Sequence, residues 1–524
     1  MYQFQKSRKL ILAVVLTACF ILAFQFVTYE HVSYIQKTVK DIHQKAVNLA
    51  QGSSKKIWEY YDLSEVPVDR VSPNDSMILL NIEKEVMNFP AEFLMKRGNK
   101  GGDCGKMPPI YEIKFINTHW QQFIHSNGTF SLLNAYYDNR AALDAPLVRI
   151  AMTVNRVKPR HNITCQLWFK DVPNPVFSQV FEYRYLWRDY WGYNDEKMQQ
   201  PYIAGCAIPK KYWDKAPEAV SLVEHPCDTA INVLKVHNNR PADGVKKNFG
   251  VCVKQLDFLY NDMSVILVEW LEVLFSMGVE KVHLYNVTAH YNMVKVLRYY
   301  EEQGKVEFRP ITLPGAQPNI PSLYHQYFFN NLGRQLFFED MLFNDCFYRN
   351  MYNFKWLAVI DIDELIMPIK NLTTWNDILQ SVEQSPDIEG YGFRNLFYFD
   401  DNKYFNVTHE DVAPYLHFTN LVHRAANHSD EGYSTKSWFN TERVVSIHNH
   451  YAIDCVKSKD WCNWHEVSTD VARMQHYCIN KKHHDYCTNY ENNTVVDPNI
   501  WKYKEEVTKS TMKTMEDLNF IHKN

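Results

Sequence analysis

Residues 355–365 have the sequence KWLAVIDIDEL, in which an apolar run ends in three carboxylates within four residues. The run predicts a buried strand, and Asp361 and Asp363, at i and i+2, project to the same side of an extended segment. Ligands bind outside the carboxyl ends of strands in open α/β sheets. Because neighbouring acids repel one another unless a cation neutralises them, the segment predicts a site for Mn²⁺ or Mg²⁺ that shares its coordination with a diphosphate.

Strand and helix patterns alternate along the chain before this segment. Glycines at 278 and 304 end two amphipathic helices, and short apolar runs lie between them. This order predicts an α/β fold with parallel βαβ units, although the phosphate-binding loops GxGxxG and GxxxxGK[ST] are absent. The predicted strands are 249–256, 282–286, 306–309 and 356–360, and the predicted helices are 267–275, 293–300 and a long region at 324–352.

A bare Asp-x-Asp is a weak motif that more often marks a turn or a helix cap. Phosphatases of the haloacid dehalogenase type carry Asp-x-Asp-x-Thr/Val after their first strand. Here the fifth position is Leu365, and several βα units precede the motif. The placement therefore favours metal binding over a phosphatase, which covalent phosphoryl labelling of Asp361 would reveal.

The N-terminal region predicts a membrane anchor. Residues 10–27 are almost entirely apolar, and Lys6, Arg8 and Lys9 precede them. Because positive charge stays cytoplasmic, the rest of the chain is expected in the lumen, as in a type II protein with a transmembrane helix. The short apolar length suits a thin Golgi or early secretory membrane. The alternative is a cleaved signal peptide.

Two further counts agree with a lumenal location. Ten of the 11 cysteines follow the apolar segment, an even number that suits disulfides in an oxidising compartment. None has CxxC spacing, which weakens a zinc-ribbon interpretation. The Asn-x-Ser/Thr acceptors are Asn74, Asn127, Asn162, Asn286, Asn371, Asn406, Asn427 and Asn492.

Composition describes a globular chain of several domains. The 524 residues are 46% hydrophobic, and a net charge of −4 gives no basic field, so we expect no nucleic-acid partner. Alternating aromatic segments after Pro108 predict a β-rich domain, with a sandwich as the expected arrangement. The predicted divisions are a cytoplasmic tail (1–9), the anchor (10–27), a stem (28–107), a β-rich accessory domain (108–240), a catalytic domain (248–495) and a C-terminal tail (496–524).

From about Val251 to Tyr477 the chain resembles glycosyltransferase family 92, which has a GT-A fold, a Rossmann-like and mostly parallel sheet. The resemblance covers somewhat over half the chain. It rests on Val251-Cys252-Val253-Lys254, Glu269-Trp270, Met277-Gly278-Val279, Tyr285-Asn286, Gln335, Asn344-Asp345-Cys346, Arg349, Asp361-Ile362-Asp363-Glu364, Pro368, Lys436, Val444-Val445-Ser446-Ile447-His448-Asn449, His476-Tyr477 and, upstream, Ala135-Tyr136-Tyr137-Asp138-Asn139-Arg140.

The resemblance implies a Golgi membrane enzyme that transfers galactose from UDP-galactose with Mn²⁺ to a glycan acceptor, such as fucose of an N-glycan core, forming a β-linkage. It implies that Asp361 and Asp363 hold the metal and the ribose or diphosphate, with Glu364 as support. A late histidine would complete the metal shell, and His476 is favoured over His448, beside which His450 lies. The predicted donor-binding residues are Asp361 and the polar residues near the expected nucleotide edge, Lys254, Asn344, Asp345, Arg349 and Lys436, of which Arg349 or Lys436 is expected to clamp phosphate.

A β-product from an α-linked donor requires inversion, and therefore a carboxylate base on the face opposite the diphosphate. Asp400, Asp401 and Glu431, the last beside Asp430, are the candidates, although acid pairs in loops are more often solvated turns. The alternative function is a non-catalytic, membrane-tethered glycan-binding protein with a vestigial GT-A domain. The sequence leaves open whether the chain forms a homodimer.

Overall fold

The computed structural model describes residues 37–38, 40–41, 44, 75–97, 102, 104–159, 162–193, 195, 197–382, 384–399, 412–457, 461–478 and 493–521. The predicted anchor at 10–27 lies outside these residues. Within the described part, no helix combines the length and the apolar character that crossing a bilayer requires. A compact unit extends from Asp75 to Asn524, and the features below belong to it.

The β-rich region forms one nine-stranded sheet that closes on itself. Strand β3 pairs with β4 on one side and with β9 on the other through Ala135 and Val236, so β3, β4, β7, β6, β5, β8 and β9 form a ring. The region is therefore a closed sheet and not the expected sandwich. The strands are β1 (Phe115–Asn117), β2 (Trp120–His125), β3 (Gly128–Asp138), β4 (Leu147–Val154), β5 (Thr164–Trp168), β6 (Val176–Tyr185), β7 (Gln200–Ala207), β8 (Ala219–Val223) and β9 (Leu234–His237).

Helices α1 (Asp75–Glu85) and α2 (Ala91–Arg97) lie shortly before this sheet in the chain. They fall within the residues predicted as a stem. Phe89 and Leu94 nevertheless pack with Trp168 of the β-rich sheet in one buried cluster. Burying these side chains fixes the end of the stem segment against the accessory domain.

The predicted parallel βαβ units are confirmed. Strands β10 (Lys247–Phe258), β11 (Lys281–Ala289), β12 (Val306–Pro310) and β13 (Phe354–Val359) pair in parallel in the order β12-β11-β10-β13. Antiparallel strand β18 (Lys436–Asn440) then continues the sheet beside β13, followed by β15 (Gly390–Phe393) and β21 (Trp464–Glu466). The carboxyl ends of β10 and β13 thus lie next to the amino end of β18.

Helices α3 (Ser264–Ser276) and α4 (Tyr291–Glu302) connect the first three parallel strands. Gly278 follows α3 with a φ of +89°, a conformation that glycine adopts at low cost. The predicted long helix divides into α5 (Pro321–Phe329) and α6 (Leu332–Asn350), because Asn331 caps the second helix by accepting a hydrogen bond from the Arg334 N–H.

A second sheet contains the strands that follow β13 and β15 in the chain. Its order is β14 (Glu364–Pro368), β22 (Ala472–Cys478), β16 (Asn395–Phe399), β17 (His423–Ala425) and β23 (Thr494–Val496). The aromatic run at residues 390–399 forms two strands, β15 and β16, which belong to different sheets. The remaining elements are α7 (Trp375–Ser381), the hairpin of β19 (Val444–Ile447) and β20 (Ala452–Cys455), and α8 (Lys504–Asp517).

Helix α8 lies in the residues predicted as a C-terminal tail, yet Val507 joins the same buried cluster as Trp270 of α3. Disulfide bonds, as predicted, stabilise both regions. They join Cys104 to Cys227, Cys165 to Cys206, Cys252 to Cys346 and Cys455 to Cys462, and Cys478 is disulfide-bonded as well.

Candidate active site

The three acids lie in a tight turn between β13 and β14. The Glu364 N–H donates to the Asp361 carbonyl oxygen over 3.0 Å, and the Asp361 N–H donates to Glu364 Oε2 over 2.8 Å. Trp270 of α3 donates its indole N–H to the Glu364 carbonyl oxygen. This turn fixes the Asp361 and Glu364 side chains beside each other, while Asp363 stays partly exposed.

Pairing of β14 with β22 brings His476 to the acids. Glu364 is directly opposite His476 in this antiparallel pair, and the Tyr477 N–H donates to the Asp363 carbonyl oxygen over 2.8 Å. His476 Nε2 lies 3.7 Å from Asp363 Oδ2, and Nδ1 lies 3.5 Å from Glu364 Oε1. Residues more than 110 positions apart therefore face one another, as in the predicted metal site.

The strands on either side of β13 each supply a lysine to the same oxygen of Asp361. Lys254 Nζ, from β10, lies 3.4 Å from Asp361 Oδ2, and Lys436 Nζ, from β18, lies 3.3 Å from it. Lys436 also lies 3.0 Å from Glu364 Oε2. Burial alone would raise the pKa of Asp361, but the two ammonium groups lower it below its ordinary value. Asp361 is thereby held as a carboxylate.

Glu339 and Asn449 complete this cluster, although neither residue was predicted to have a role in the site. Glu339 Oε1, from α6, lies 3.4 Å from Lys254 Nζ and accepts a hydrogen bond from Gln335, one helical turn earlier. Asn449 Oδ1 accepts a hydrogen bond of 2.5 Å from Lys436 Nζ. The i, i+4 spacing of Gln335 and Glu339 was a usable signal, because it places both on one face of the helix.

The charges of this cluster fit a divalent cation. Asp361, Asp363, Glu364 and Glu339 carry four negative charges against the two ammonium groups of Lys254 and Lys436 when all are ionised. Asp361 Oδ1 is buried and has no hydrogen-bond partner within the described residues. Carboxylate oxygens with a histidine nitrogen are a donor set that Mn²⁺ accepts. The residues present therefore fit such an ion, and a buried acceptor oxygen remains available for it.

Within the described part of the chain, Glu389, Cys455 and Cys462 place three ligand atoms within 4.8 Å of one another, but the two cysteines are joined by a disulfide. The ligand atoms of the acid cluster do not all lie within this distance of one another. An incomplete protein set is what a metal that also binds a diphosphate requires.

Three of the predicted donor-binding residues have protein partners elsewhere. Asn344 is fully buried and exchanges hydrogen bonds with the backbone of Ile447, which fastens β19 to α6. Asp345 Oδ2 accepts from the Tyr285 hydroxyl and lies 3.0 Å from Arg349 Nη2. Asn134 of β3 also donates to Asp345, over 2.6 Å. These contacts connect α6 with the accessory domain.

His448 and His450 lie on the loop that carries Asn449. The His448 ring contacts the rings of Trp187 and Trp191 with centroid distances of 5.4 and 4.6 Å. Its burial lowers its pKa well below the ordinary value, so the ring is neutral. His450 Nδ1 lies 2.9 Å from the Thr435 carbonyl oxygen. Of the two histidines predicted for the metal, only His476 has contacts with Asp363 and Glu364 among the described residues.

Of the three predicted general bases, Glu431 is among the described residues. Asp400 and Asp401 lie outside the described residues. Asp430 and Glu431 are exposed in the turn before Gly432, and Tyr433 N–H donates to the Asp430 carbonyl oxygen over 3.0 Å. The assignment of the base stays a prediction.

The family model of glycosyltransferase family 92 matches residues 247–511, which is half of the chain and includes every residue of the acid cluster. The chain belongs to glycosyltransferase family 92. Its α/β domain is thus that of a glycosyltransferase family. The match extends past residue 495 into helix α8, beyond the predicted end of the catalytic domain.

Other comparisons add little to family membership. The chain has no match among curated proteins. Among solved structures, a bifunctional glycosyltransferase, WbbM, is 9% identical over 32% of this chain and 26% of its own length, with a TM-score of 0.17. The galactosyltransferase LgtC, solved with donor and acceptor sugar analogues, is 10% identical over 51% of this chain and 95% of its own, with a TM-score of 0.23. This family 92 chain spans about a quarter of the WbbM chain, and neither likeness assigns it a residue or a substrate.

Proposed function

We propose that this family 92 enzyme transfers galactose from UDP-galactose to a glycan acceptor, with inversion to a β-linkage and with dependence on Mn²⁺. The observation that carries the proposal is the contact of His476 with Asp363 and Glu364, next to Asp361, where the parallel sheet ends. A nucleotide-sugar diphosphate is the ligand that such a site suits, because it completes the coordination of a divalent ion that the protein ligates only in part.

The residues have separate roles in this proposal. Asp361, Asp363 and His476 would hold Mn²⁺, which when bound draws negative charge from the departing diphosphate. Lys254 and Lys436 keep Asp361 ionised and hold it in place through their ion pairs. Both lysines also place positive charge beside the diphosphate, which favours its binding and its departure.

Inversion requires that the acceptor hydroxyl lose its proton on the sugar face opposite the diphosphate. Asp400, Asp401 and Glu431 stay our candidates for this base. We also propose a Golgi location with the catalytic domain in the lumen and the anchor at 10–27. The disulfides support an oxidising compartment, and Asn127, Asn162, Asn371 and Asn427 are exposed, as glycosylated asparagines must be.

The test uses the full-length protein in detergent with a panel of UDP-sugars, with Mn²⁺, with Mg²⁺ or with a chelator. We expect hydrolysis or transfer from UDP-galactose with Mn²⁺ and its loss with the chelator. Asp363→Asn should lower the turnover rate about 10²-fold or more. Asp470→Asn is the matched control, since Asp470 is exposed in the same domain. Full activity of Asp363→Asn would refute the site, and glycan binding without donor turnover would favour the non-catalytic alternative.

A further inference from the structure

A loop of the accessory domain contacts the segment that anchors Lys436. Trp187 and Trp191 pack against His448, and Trp191 also contacts the Tyr451 ring at 5.8 Å. Tyr190 lies beside Trp191, on the short 3-10 helix Asp189–Trp191. These five side chains, Trp187, Tyr190, Trp191, His448 and Tyr451, are called the aromatic rim.

The aromatic rim is open to a ligand. The Tyr190 side chain is 71% exposed, and Trp191 and Tyr451 are half-buried. Trp187 and His448 form the buried base, with exposures of 6% and 7%. Trp187 and Trp191 have no ionisable group, and Tyr190 and Tyr451 add phenol rings beside them. The flat apolar faces of the aromatic rim therefore suit a neutral ring better than an anionic one.

The aromatic rim is continuous with the acid cluster. Asn449, between His448 and His450, accepts the hydrogen bond of Lys436, whose ammonium group contacts Asp361. Asp340 of α6 also contacts this loop, because its carboxyl group accepts a hydrogen bond from the Asn449 backbone N–H. Arg188 fastens the other side by donating to the Ile453 carbonyl oxygen over 2.5 Å. The loop, the lysine and the acids thus form one connected structure.

We infer that the aromatic rim is the acceptor subsite, on which a neutral pyranose ring of the glycan stacks against Trp191 and Tyr190. This inference rests on the proposed function, because an acceptor must lie beside the donor site. It assigns to the accessory domain a direct part in acceptor selection. The C–H face of a pyranose packs on an indole or phenol ring, whose large flat surface is rigid and loses little entropy on binding.

The experiment compares Trp191→Ala, Trp191→Phe and Tyr190→Ala in the full-length protein. Tyr111→Ala is the matched control, because Tyr111 is also exposed, at 82%, on a 3-10 helix of the accessory region, Ile110–Glu112. The probes are the methyl glycosides of galactose, fucose, mannose and N-acetylglucosamine. Two quantities are measured, the KM for the glycoside that is used best and the rate of UDP-galactose hydrolysis without acceptor.

We expect Trp191→Ala and Tyr190→Ala to raise the acceptor KM about tenfold or more, with donor hydrolysis within about twofold of wild type. Trp191→Phe and Tyr111→Ala should stay near wild type. An unchanged acceptor KM in both alanine variants overturns the inference, and Tyr190→Ala decides it if Trp191→Ala does not fold.

Saturation-transfer NMR makes this test independent of turnover. Transfer from aromatic protons to a glycoside should occur in wild type and fall in Trp191→Ala. If wild type shows no UDP-galactose turnover but retains this transfer, the proposed donor fails and the aromatic rim stands. If none of the four glycosides receives saturation from wild type, the aromatic rim is not a sugar site.

Discussion

Lys436 Nζ lies 3.3 Å from Asp361 Oδ2, with the lysine side chain only 2% exposed. Burial lowers the pKa of Lys436, but Asp361 and Glu364 more than restore it, so the ammonium group stays charged. The protein therefore keeps a cation in contact with an acid that is also expected to bind a metal. The Lys436 ammonium group and the expected metal ion would therefore both balance the negative charge of the acid cluster.

The first prediction is that Lys436→Met weakens the fold and makes it depend on Mn²⁺. Removing one partner of a buried ion pair costs about 3–5 kcal/mol, because the remaining charges stay buried. One more uncompensated negative charge should strengthen Mn²⁺ binding, so Mn²⁺ should raise the Tm of the variant more than that of wild type. Thermal unfolding with and without Mn²⁺ measures both effects.

Lys370→Met is the control for this prediction, since Lys370 forms an exposed ion pair with Asp470. Such pairs contribute little to stability, so its Tm should hardly change. Equal Mn²⁺-induced shifts in Lys436→Met and wild type would show that the lysine and the metal do not share the acids.

The second prediction separates His476 from His448. His476→Gln should weaken Mn²⁺ binding about 10- to 100-fold, because the ring contacts Asp363 and Glu364. His448→Gln should leave Mn²⁺ affinity near wild type, since the His448 ring lies among aromatic side chains. Electron paramagnetic resonance of free Mn²⁺ gives both affinities. The reverse order of effects would assign the metal to His448.

The parallel strands and connecting helices could be predicted because each depends on a local pattern. Apolar runs, helical spacing and Gly278 act over a few residues. The pairing of Glu364 with His476 could not be predicted in this way, because it depends on how a second sheet packs. The Asp361 motif could be predicted because it is local. Its contacts with Lys254 and Lys436 could not, because they depend on which strands flank β13.

Local breaks were also hard to predict. The helical pattern continues across Asn331, yet the side chain of this residue caps a new helix there. Arg394 lies between β15 and β16, where an aromatic run leaves one sheet for another without a change in pattern. Arg349 was predicted to bind the donor from its charge and position in α6, whereas its ion pair with Asp345 depends on burial against the accessory domain.

The third prediction concerns the disulfide between Cys252 and Cys346, which joins β10 to α6 beside the site. It closes a loop of 94 residues, whereas the bond between Cys455 and Cys462 closes one of 7. Loop-closure entropy predicts contributions of roughly 4.7 and 2.4 kcal/mol. We therefore expect the double variant Cys252→Ala/Cys346→Ala to lose about 2 kcal/mol more of its free energy of unfolding than the double variant Cys455→Ala/Cys462→Ala. Urea unfolding measures both losses. Equal losses would show that native packing and not loop length sets the stabilisation.

The fourth prediction concerns the fully buried carboxylate of Asp138, at the end of β3. Arg140 Nη2 lies 2.8 Å and Arg149 Nε 3.2 Å from Asp138 Oδ2, and Arg140 also donates to the Thr441 carbonyl oxygen of the catalytic domain over 2.8 Å. Burial alone would raise the pKa of Asp138, but the two guanidinium groups lower it to about 2. The carboxylate thus helps to join the two domains.

Because the pKa of Asp138 is lower in the folded chain than in the unfolded chain, the unfolded chain binds more protons between about pH 4 and pH 2. The Asp138 carboxylate therefore contributes its full stabilisation of the folded chain above about pH 4, and this contribution is lost as the pH falls toward 2. Asp138→Asn should cost about 3–5 kcal/mol at neutral pH and should flatten the decline in urea stability below about pH 4. Asp470→Asn, which changes an exposed carboxylate, should keep the slope of wild type. If Asp138→Asn and wild type lose stability in parallel as the pH falls, other carboxylates dominate acid unfolding and the ion pairs of Asp138 do not.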